Sequence, residues 1–319
     1  MCAMRKAMTI AGSDTSGGAG MEADLKTFQE LGVYGMTALT VIVTMDPHNN
    51  WFHNVYPVEM HIIEKQLETI LDGIGIDAMK TGMLGSADLV ELVAKSIARY
   101  NLKNVVIDPV MVCKGIDAIM VPDAAAAIKK YLVKRADVIT PNTIEAAYLA
   151  DMPKVNSLDE IKEAAGRIKE LGAKCVVIKG GERMERDEAV DVFYDGKEFK
   201  EMSAKKIYPS YNHGAGCTYS AAVTAGLANG LSVEDAVVQA KAFITEALRH
   251  SFDAVANDKD LWETYLPAFE KLVKKADVEA VMGAYNRTNG EPCCGSKTLL
   301  VDTVRGKWGF EGHIVSDCW

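Results

Sequence analysis

The chain has 319 residues, of which 49% are hydrophobic and 25% charged, and its formal net charge at pH 7 is −9. This length and composition suit one large domain with a full core, or one domain with an appendage, and exclude a chain that is disordered throughout. The acidic balance argues against non-specific nucleic-acid binding and against docking on anionic membranes.

The sequence shows no sign of export or of membrane insertion. No apolar run approaches the ~20 residues that a membrane helix needs, and the N-terminal apolar stretch is too short for a signal peptide. The seven cysteines are irregularly spaced. We therefore expect reduced thiols in a cytoplasmic protein, with neither a membrane nor nucleic acid as a partner.

The first predicted elements alternate between strand and helix. Residues 7–12 form a short apolar run that ends in glycine. Residues 19–32 have helical periodicity, with Leu25 and Phe28 on one face. Residues 36–44 are continuous and β-branched, which is typical of a buried parallel strand.

The same alternation continues to about residue 250. Strands are predicted at 77–82, 105–111, 137–140 and 174–181, a hairpin at 190–202, and helices at 58–72, 87–100, 124–133, 214–230 and 232–250. Repeated strand–helix units predict an α/β fold, a doubly wound and mostly parallel sheet with helices on both faces. Ligands of such sheets bind beyond the carboxyl ends of the strands, where the segments below fall.

Residues 11–20, AGSDTSGGAG, join the first strand to the first helix. Their glycines would let backbone amides approach a ligand, and Ser13 and Asp14 could hydrogen-bond a polar heterocycle. A tight turn with a helix cap explains the same residues equally well. This segment alone leaves both interpretations open.

The segment IDPVMVCKG at 107–115 places Asp108 at a strand end and Cys113 in the loop that follows. A free cysteine is most often a small buried apolar residue. Cys113 instead lies in a polar loop beside Lys114, whose ammonium would favour the reactive thiolate. This position favours a functional thiol.

Two further strand ends carry residues suited to a nucleotide and its metal. Asn142 and Glu145 in TPNTIEA could hold a hydrated Mg²⁺ ion, although an acidic residue in a first helical turn gives the same pattern. Lys179 in IKGGER is a candidate phosphate contact, and Asp191 lies in the hairpin that follows. An ordinary turn is the alternative for this second segment.

The segment HGAGCTYSAA at 213–222 gives the strongest indication of a site. Gly214, Ala215 and Gly216 lead into a helix of small residues, so their amides would point at one spot where the helix dipole adds positive charge. Such a spot binds a transferring phosphoryl group. It also lowers the pKa of a thiol at the helix start, so Cys217 could act as a base. The alternative is a close-packed helix start.

Together, residues 7 to about 250 resemble the ribokinase superfamily, in its branch of vitamin B6 kinases and hydroxymethylpyrimidine kinases. The motifs that carry the resemblance are AGSDTSGGAGMEADLKTF, DAMKTGMLG, DPVMVCKG, TPNTIEA, VIKGG and NHGAGCT, in family order and at family spacing. Most of the superfamily has an aspartate base after the anion-hole glycine. This branch has a cysteine, here Cys217.

Two details within this branch bear on the substrate. Dedicated hydroxymethylpyrimidine kinases carry a Gln-Asn pair after the third strand, where this chain has Met45 and Asp46. Cys113 is similar to the lid cysteine of dual-cysteine pyridoxal kinases of Gram-positive bacteria, whose thiol adds to the pyridoxal aldehyde. The resemblance implies phosphorylation of pyridoxal, with a hydroxymethylpyrimidine or phosphomethylpyrimidine kinase as the alternative.

The resemblance also implies roles for single residues, with ATP and Mg²⁺ taking part. Cys217 would take the proton of the acceptor hydroxyl, Glu145 would orient Mg²⁺ through water, and Cys113 would close over the substrate. The implied ATP contacts are Asn142, Lys179, Gly180, Gly181, Glu182, Arg183, Asp191 and Gly216. The implied substrate contacts are Ser13, Asp14, Gly20, Met83 and Cys113. We expect a homodimer.

Beyond about Ser251 the chain changes in character, and its tail resembles an internal piece of family-3 glycoside hydrolases. The segment AYNRTNGEPCCGS leads to SDCW, whose Asp317 matches the glycosyl nucleophile of that family. A retaining glycosidase needs two carboxylates about 5 Å apart, and the second one is missing here together with most of the barrel. We therefore predict a kinase domain at 1–255 and a non-functional fragment at 256–319, loosely attached or packed only as a helix.

Overall fold

The computed structural model describes residues 4–251 apart from 47, 49–51, 113–118, 182–183, 185–186 and 209–210. Further on it describes residues 266–316 apart from 276–277, 279, 284–286, 289–290 and 293–295. The chain divides into two compact units, residues 1–251 and residues 252–319.

The described residues of the first unit form a nine-stranded sheet. Its strands are β1 (Lys6–Asp14), β2 (Tyr34–Asp46), β3 (Phe52–Pro57), β4 (Ala78–Thr81), β5 (Val105–Ile107), β6 (Val138–Ile139), β7 (Cys175–Lys179), β8 (Glu188–Tyr194) and β9 (Phe199–Lys205). Their order is β3-β2-β1-β4-β5-β6-β7-β8-β9. The six strands from β2 to β7 in this order pair in parallel, and β3, β8 and β9 are antiparallel to their neighbours. The predicted doubly wound, mostly parallel sheet is confirmed.

Eight α-helices are described in this unit. They are α1 (Gly20–Glu30), α2 (Met60–Glu68), α3 (Ala87–Arg99), α4 (Pro122–Ala127), α5 (Thr143–Leu149), α6 (Leu158–Glu170), α7 (Ala215–Ala228) and α8 (Val233–Arg249). Polar side chains cap the start of four of them, α3, α5, α6 and α8. The side chain of Ser86 accepts a hydrogen bond from the amide of Leu89, and Ser232 does the same for Asp235. These bonds satisfy amides that the helix itself leaves free.

Apolar side chains cover both faces of the sheet. Met8, Ile10 and Ile63 belong to a buried cluster on one face, and Phe28 and Val223 belong to a second cluster on the other. Burial on both faces explains why the parallel strands are continuous apolar runs. The same core packing holds the ends of the strands in place, and the loops of the site extend from these ends. Within the described part of the chain, no helix combines the length and hydropathy that a membrane crossing would need.

Two elements of this unit were not predicted from the sequence. β3 is an edge strand whose residues are partly or fully exposed, so it lacks the alternation of a half-buried strand. α6 carries the signals of a helix: a capping box between Ser157 and Glu160, and buried Ile161 and Ile168 at helical spacing. Its low mean hydropathy conceals these signals in a scan for apolar runs.

The second unit has its own small structure. Its described elements are α9 (Leu266–Lys275), β10 (Ala280–Gly283), β11 (Arg287–Thr288), β12 (Glu291–Pro292), a π-helix (Lys297–Lys307) and β13 (His313–Ser316). β10 pairs in parallel with β13, and β11 pairs antiparallel with β12. Val304, Trp308 and Phe310 form its buried cluster. Of the two expectations for this segment, packing only as a helix is wrong, because its strands pair with one another. Its loose attachment stays a prediction.

Candidate active site

A cavity of about 1050 Å³ lies at the carboxyl ends of the parallel strands. It is lined by residues that follow β1, β4, β5, β6 and β7 and by the first turn of α7. Crossovers on both faces of a parallel sheet leave such a crevice at the strand ends. Each of the five predicted site segments contributes residues to the lining of this one cavity.

The start of α7 presents open amides to the cavity. Gly214 has φ +78°, and a Cβ there would lie 1.8 Å from the carbonyl oxygen of Gly18, so only glycine fits. The amide of Ala215 donates to the carbonyl oxygen of Asn212 (3.1 Å), and that of Thr218 donates to Gly214 (2.9 Å). The amides of Gly214, Gly216 and Cys217 make no backbone hydrogen bond to any described residue. They are therefore the donors left for an anion, and Ala215 is not one of them.

Cys217 lies at this helix start, but its pKa is opposite to the expectation from the helix dipole. Burial raises the pKa of the thiol to about 11, and the ammonium of Lys80 lowers it less than burial raises it. The nearby backbone amide of Gly20 also favours the thiolate. The predicted lowering of this pKa is not found, because the effect of desolvation is larger than that of the Lys80 ammonium.

Gly20 was predicted as a substrate contact, and the structure places it against the candidate base. Its φ is +60°, and a Cβ there would lie 2.4 Å from the carbonyl oxygen of Gly12. The backbone amide of Gly20, the first residue of α1, favours the thiolate of Cys217. Gly20 also lines the cavity, so its contact with a substrate stays a prediction.

The carboxylate of Asp14 ties the first loop to the start of α7. Its oxygens accept from the amides of Ser16 (3.0 Å) and Ala19 (2.9 Å) and from the Ser16 hydroxyl (2.9 Å), and Nε2 of His213 lies 2.7 Å away. Although burial opposes it, these hydrogen bonds lower the pKa of Asp14 to about 2, with His213 the strongest partner. Asp14 therefore holds two loops of the site together, whatever it contacts in a ligand.

Ser13 and Met83 also line the cavity, but their polar atoms bind within the protein. The hydroxyl of Ser13 donates to Glu22 (2.6 Å), whose other oxygen accepts from the amide of Asp14 (2.9 Å). The carbonyl oxygen of Met83 accepts from the hydroxyl of Thr40 (2.7 Å). Contacts of Ser13 and Met83 with a substrate stay predictions.

Asp108 and Lys179 form an ion pair between two strand ends. The Lys179 ammonium lies 3.0 Å from Oδ1 of Asp108, and the hydroxyl of Ser220 on α7 donates to Oδ2 (2.9 Å). Burial lowers the pKa of Lys179, but the carboxylates of Asp108 and Glu145 overcome this and raise it. A Cβ on Gly216 would lie 3.6 Å from the ammonium, so the fixed positive charge sits beside the open amides of α7.

Asn142 and Glu145 cap α5 with each other. Oδ1 of Asn142 accepts from the amides of Ile144 (2.9 Å) and Glu145 (3.0 Å), and the Glu145 carboxylate accepts from the amides of Asn142 (2.9 Å) and Met111 (3.2 Å). Burial raises the pKa of Glu145 to about 7. The helix-start alternative for this segment is thus confirmed, and metal binding by Glu145 stays a prediction.

Asp191 shapes the loop after β7. Its carboxylate accepts from the amide of Gly180 (3.1 Å) and from the ammonium of Lys241 on α8 (2.8 Å). A Cβ on Gly180 would lie 2.2 Å from the carbonyl oxygen of Val190, so this chain crossing requires glycine. Gly181 has φ +50° and lines the cavity with no atom near its Cβ position. This leaves backbone space beside Lys179 for a nucleotide.

Several residues of the cavity were not predicted from the sequence, and several predicted residues lie outside the described part of the chain. Lys80, His213, Lys241 and His53 line the cavity and were not singled out. Lys80 was identifiable as the one charged residue inside the short strand AMKT. The predicted site residues Cys113, Glu182 and Arg183, and Asp317 of the tail, lie outside the described residues.

Comparison with known proteins identifies the family of this chain. Residues 14–261 match the family model described as phosphomethylpyrimidine kinase, and residues 214–319 match the one described as glycosyl hydrolase family 3 N terminal domain. The chain is 56% identical over 249 residues to the pyridoxine kinase of Bacillus subtilis (strain 168), covering 78% of this chain and 92% of that protein.

Two solved structures share the fold. One is an ADP complex of Bacillus subtilis pyridoxal kinase, with a TM-score of 0.77 and 55% identity over 79% of this chain and 94% of that one. The other is pyridoxal kinase from Staphylococcus aureus in complex with AMP-PCP and pyridoxal, with a TM-score of 0.75 and 48% identity over 80% of this chain and 91% of that one. The resemblance to the ribokinase-like vitamin kinases is confirmed, and the chain belongs to the phosphomethylpyrimidine kinase family.

Proposed function

We propose that this protein transfers the γ-phosphoryl group of ATP to the 5′-hydroxyl of pyridoxal. The observation that carries the proposal is the start of α7, where three open amides and Cys217 line the same cavity as Lys179. Relatives named pyridoxine kinase and pyridoxal kinase, one of them solved with AMP-PCP and pyridoxal together, support the choice of substrates. Pyridoxine and pyridoxamine carry the same hydroxyl and are further candidate acceptors.

In the proposed reaction Cys217 acts as the base. Its thiolate takes the proton of the acceptor hydroxyl, the hydroxyl oxygen attacks the γ-phosphorus, and the bond to the β-phosphate oxygen breaks to release ADP. The amides of Gly214, Gly216 and Cys217 would hold the charge that develops on the transferring group. The Lys179 ammonium beside Gly216 supports this role, because it adds a fixed positive charge at the same place.

The nucleotide side of the cavity is proposed to lie between β6, β7 and β8. Asn142, Lys179, Gly180, Gly181 and Asp191 remain the candidate ATP contacts, together with Glu182 and Arg183 in the part of the loop that is not described. Gly181 leaves its backbone open to a phosphate, which supports this assignment.

Glu145 fits a hydrated Mg²⁺ ion. Its carboxylate is buried at the cavity wall, and its pKa of about 7 shows that one nearby cation, Lys179, does not fully offset the burial. A further cation would therefore keep this carboxylate ionised. When bound, Mg²⁺ would neutralise charge on the phosphates, and Glu145 would orient it through water.

The wall beside β2 supports pyridoxal over an aminopyrimidine as the acceptor. Met45 lines the cavity at the end of β2, opposite His53 in the strand register. A thioether offers only a weak acceptor and no donor, whereas an amide pair at this place could grip the ring nitrogens and amino group of a pyrimidine. Because the matching family model is described as phosphomethylpyrimidine kinase, that activity remains the second candidate.

We also propose that the protein acts in the cytoplasm and forms a homodimer. A cytoplasmic, reducing compartment suits a mechanism that needs a free thiol at Cys217. A homodimer is supported by the edge strand β3, which exposes Phe52, Val55 and Tyr56 along an unpaired edge of the described sheet.

A coupled assay of ADP release tests the function. Wild-type protein is compared on pyridoxal, pyridoxine and hydroxymethylpyrimidine at equal ATP and Mg²⁺. We expect the highest kcat/KM with pyridoxal. A higher value with hydroxymethylpyrimidine would assign the chain to thiamine precursor synthesis instead, and absence of ADP release with all three would overturn the kinase proposal.

A further inference from the structure

A fully buried ion pair lies beneath the candidate base. The ammonium of Lys80 on β4 is 2.8 Å and 2.9 Å from the two carboxylate oxygens of Asp24 on α1, and both side chains have 0% exposure. The hydroxyl of Thr9 on β1 donates to the same carboxylate (2.6 Å). Three elements therefore fix the position of one ammonium.

The pair is oriented with its positive end toward the site. Lys80 lines the cavity together with Gly216 and Cys217, whereas Asp24 is absent from the described residues that line it. A Cβ on Gly82 would lie 3.8 Å from the Lys80 nitrogen, so the ammonium sits where β4 runs into the cavity floor. The carboxylate anchors the lysine from behind.

Stability alone does not explain the pair. Moving two charges out of water costs more than an apolar pair of the same volume would, so a buried ion pair is weak support for a stabilising role. A buried lysine at the floor of a cavity, next to a candidate nucleophile or base, is instead the kind of group that tunes a site.

The charged groups around Cys217 come from four elements and include two lysines. Lys179 is already proposed as a nucleotide contact, whereas Lys80 is not. Lys80 from β4 lowers the pKa of the thiol, whereas Asp24 from α1 and Asp108 after β5 raise it. Lys179 from β7 is balanced by Asp108 and Glu145. Lys80 is therefore the main cation that opposes the effect of burial on this thiol.

We propose that Lys80 is a positioning residue for phosphoryl transfer, with its anchored ammonium stabilising the Cys217 thiolate that receives the acceptor proton. The inference rests on the proposed function, in which Cys217 is the base. The proton passes from the acceptor hydroxyl to the sulfur, and Lys80 itself stays protonated throughout. Asp24 and Thr9 keep the ammonium in place.

The test measures the thiol directly, without relying on turnover. The rate at which iodoacetamide alkylates Cys217 is followed on its peptide by mass spectrometry, from about pH 7 to about pH 10, because only the thiolate reacts. The variant Lys80→Met/Asp24→Leu removes both charges and keeps the volume. Thr27→Val is the matched control, since it alters a buried hydroxyl on α1 and removes no charge. Circular dichroism checks the fold of each.

We expect the double variant to be alkylated about 3-fold more slowly at each pH below the thiol pKa, which corresponds to a rise of about half a pKa unit, because the loss of Lys80 raises that pKa more than the loss of Asp24 lowers it. Its kcat on pyridoxal should fall by a similar factor and recover toward high pH, with KM for ATP and pyridoxal little changed. Thr27→Val should match wild type. Lys80→Gln, whose amide can still donate to Asp24, should show a larger shift in the same direction, because Asp24 remains, and it serves as the test if the double variant does not fold.

Alkylation of a folded variant at the wild-type rate across this range would overturn the inference, and Lys80 would then be a structural residue only. The outcome is separable from that of the proposed function. If wild-type protein phosphorylates none of the three acceptors, the kinase proposal fails, while the alkylation rates still decide whether Lys80 controls the thiol.

Discussion

The two units of the chain differ in how firmly they can hold a side chain. In residues 4–251 buried apolar clusters cover both faces of a sheet, and polar side chains such as Asp14, Asp108 and Asp191 each bind several partners at its edge. In the described part of the second unit, three buried apolar residues form the core cluster beside one pair of parallel strands. A site that must fix reacting groups within a fraction of an ångström needs the first kind of support.

The difference also separates the two chemistries that the sequence suggests. The phosphoryl-transfer groups come from strand ends and helix starts that are locked by this core. The aspartate that resembles a glycosidase nucleophile, Asp317, comes from the unit with the small core and has no second carboxylate partner in the sequence motif. The predictions below test whether function follows the larger core alone.

The largest effect is expected at the base. Cys217→Ala should lower kcat by roughly 100-fold or more, the usual size of a general-base contribution. Affinity for ATP should change little, because the amides of α7 remain. Steady-state kinetics and nucleotide binding by calorimetry measure the two effects. Near-normal turnover would remove Cys217 from the mechanism.

Each unit contains a glycine in the left-handed conformation, and substituting alanine for each one allows a matched comparison. Gly214→Ala places a Cβ 1.8 Å from the Gly18 oxygen at φ +78°, so α7 must shift and its open amides move. We expect kcat to fall by about 10- to 100-fold, since one lost oxyanion donor costs about that much or more. Gly309→Ala has a similar φ, +72°, but meets no atom within 4 Å. It should leave turnover unchanged.

Equal kinetic losses in Gly214→Ala and Gly309→Ala would contradict the separation of the two units. Thermal unfolding of both variants provides the control for global destabilisation, because a non-glycine residue at such a φ is strained by roughly 1–2 kcal/mol wherever it lies.

Some of this site was predictable and some was not, for physical reasons. The pattern at 213–222 predicted the helix start and its open amides, because glycine spacing and a run of small residues are local signals. It did not predict the sign of the Cys217 pKa shift, since burial of the sulfur depends on α1 and β4, which are far away in sequence.

The same distinction separates the other residues. Capping of α5 by Asn142 and Glu145 is local and was foreseen as one alternative. The partners of Asp14, Asp108 and Asp191 are His213, Lys179 with Ser220, and Lys241. These pairs join positions up to 199 residues apart, so no short motif reveals them.

A smaller and more selective effect is expected at Cys113, on the sequence argument alone. A thiolate adds reversibly to an aldehyde and not to an alcohol. Cys113→Ala should therefore cut kcat/KM for pyridoxal by about 10-fold, the size of a modest gain in positioning, and leave hydroxymethylpyrimidine turnover little changed. Parallel kinetics on the two acceptors check this. Equal losses on both would mean that Cys113 only shapes its loop.

The smallest effect on activity is expected from removal of the second unit. We propose that residues 252–319 take no part in catalysis, because every described residue assigned to the site belongs to the first unit. Limited proteolysis between the units, or a variant that ends at Ser251, should retain kcat and KM within about twofold of the full chain. Loss of activity in step with cleavage would show that the second unit has become a structural part of the kinase.

Tryptophan provides an internal reporter for the same comparison. Trp262, Trp308 and Trp319 lie beyond residue 251 and only Trp51 precedes it, so fluorescence follows mainly the second unit. Helices α1–α8 dominate the far-ultraviolet circular dichroism. A chain segment of this size is marginally stable when its core is small, and the described residues of the second unit form a cluster of three buried apolar side chains. Its fluorescence transition in urea should therefore precede the dichroism transition. Trp308→Ala, which removes a buried ring from the small cluster, should move the first transition to lower urea and leave the second in place. A single coincident transition in wild type and variant would instead mean that the two units unfold together.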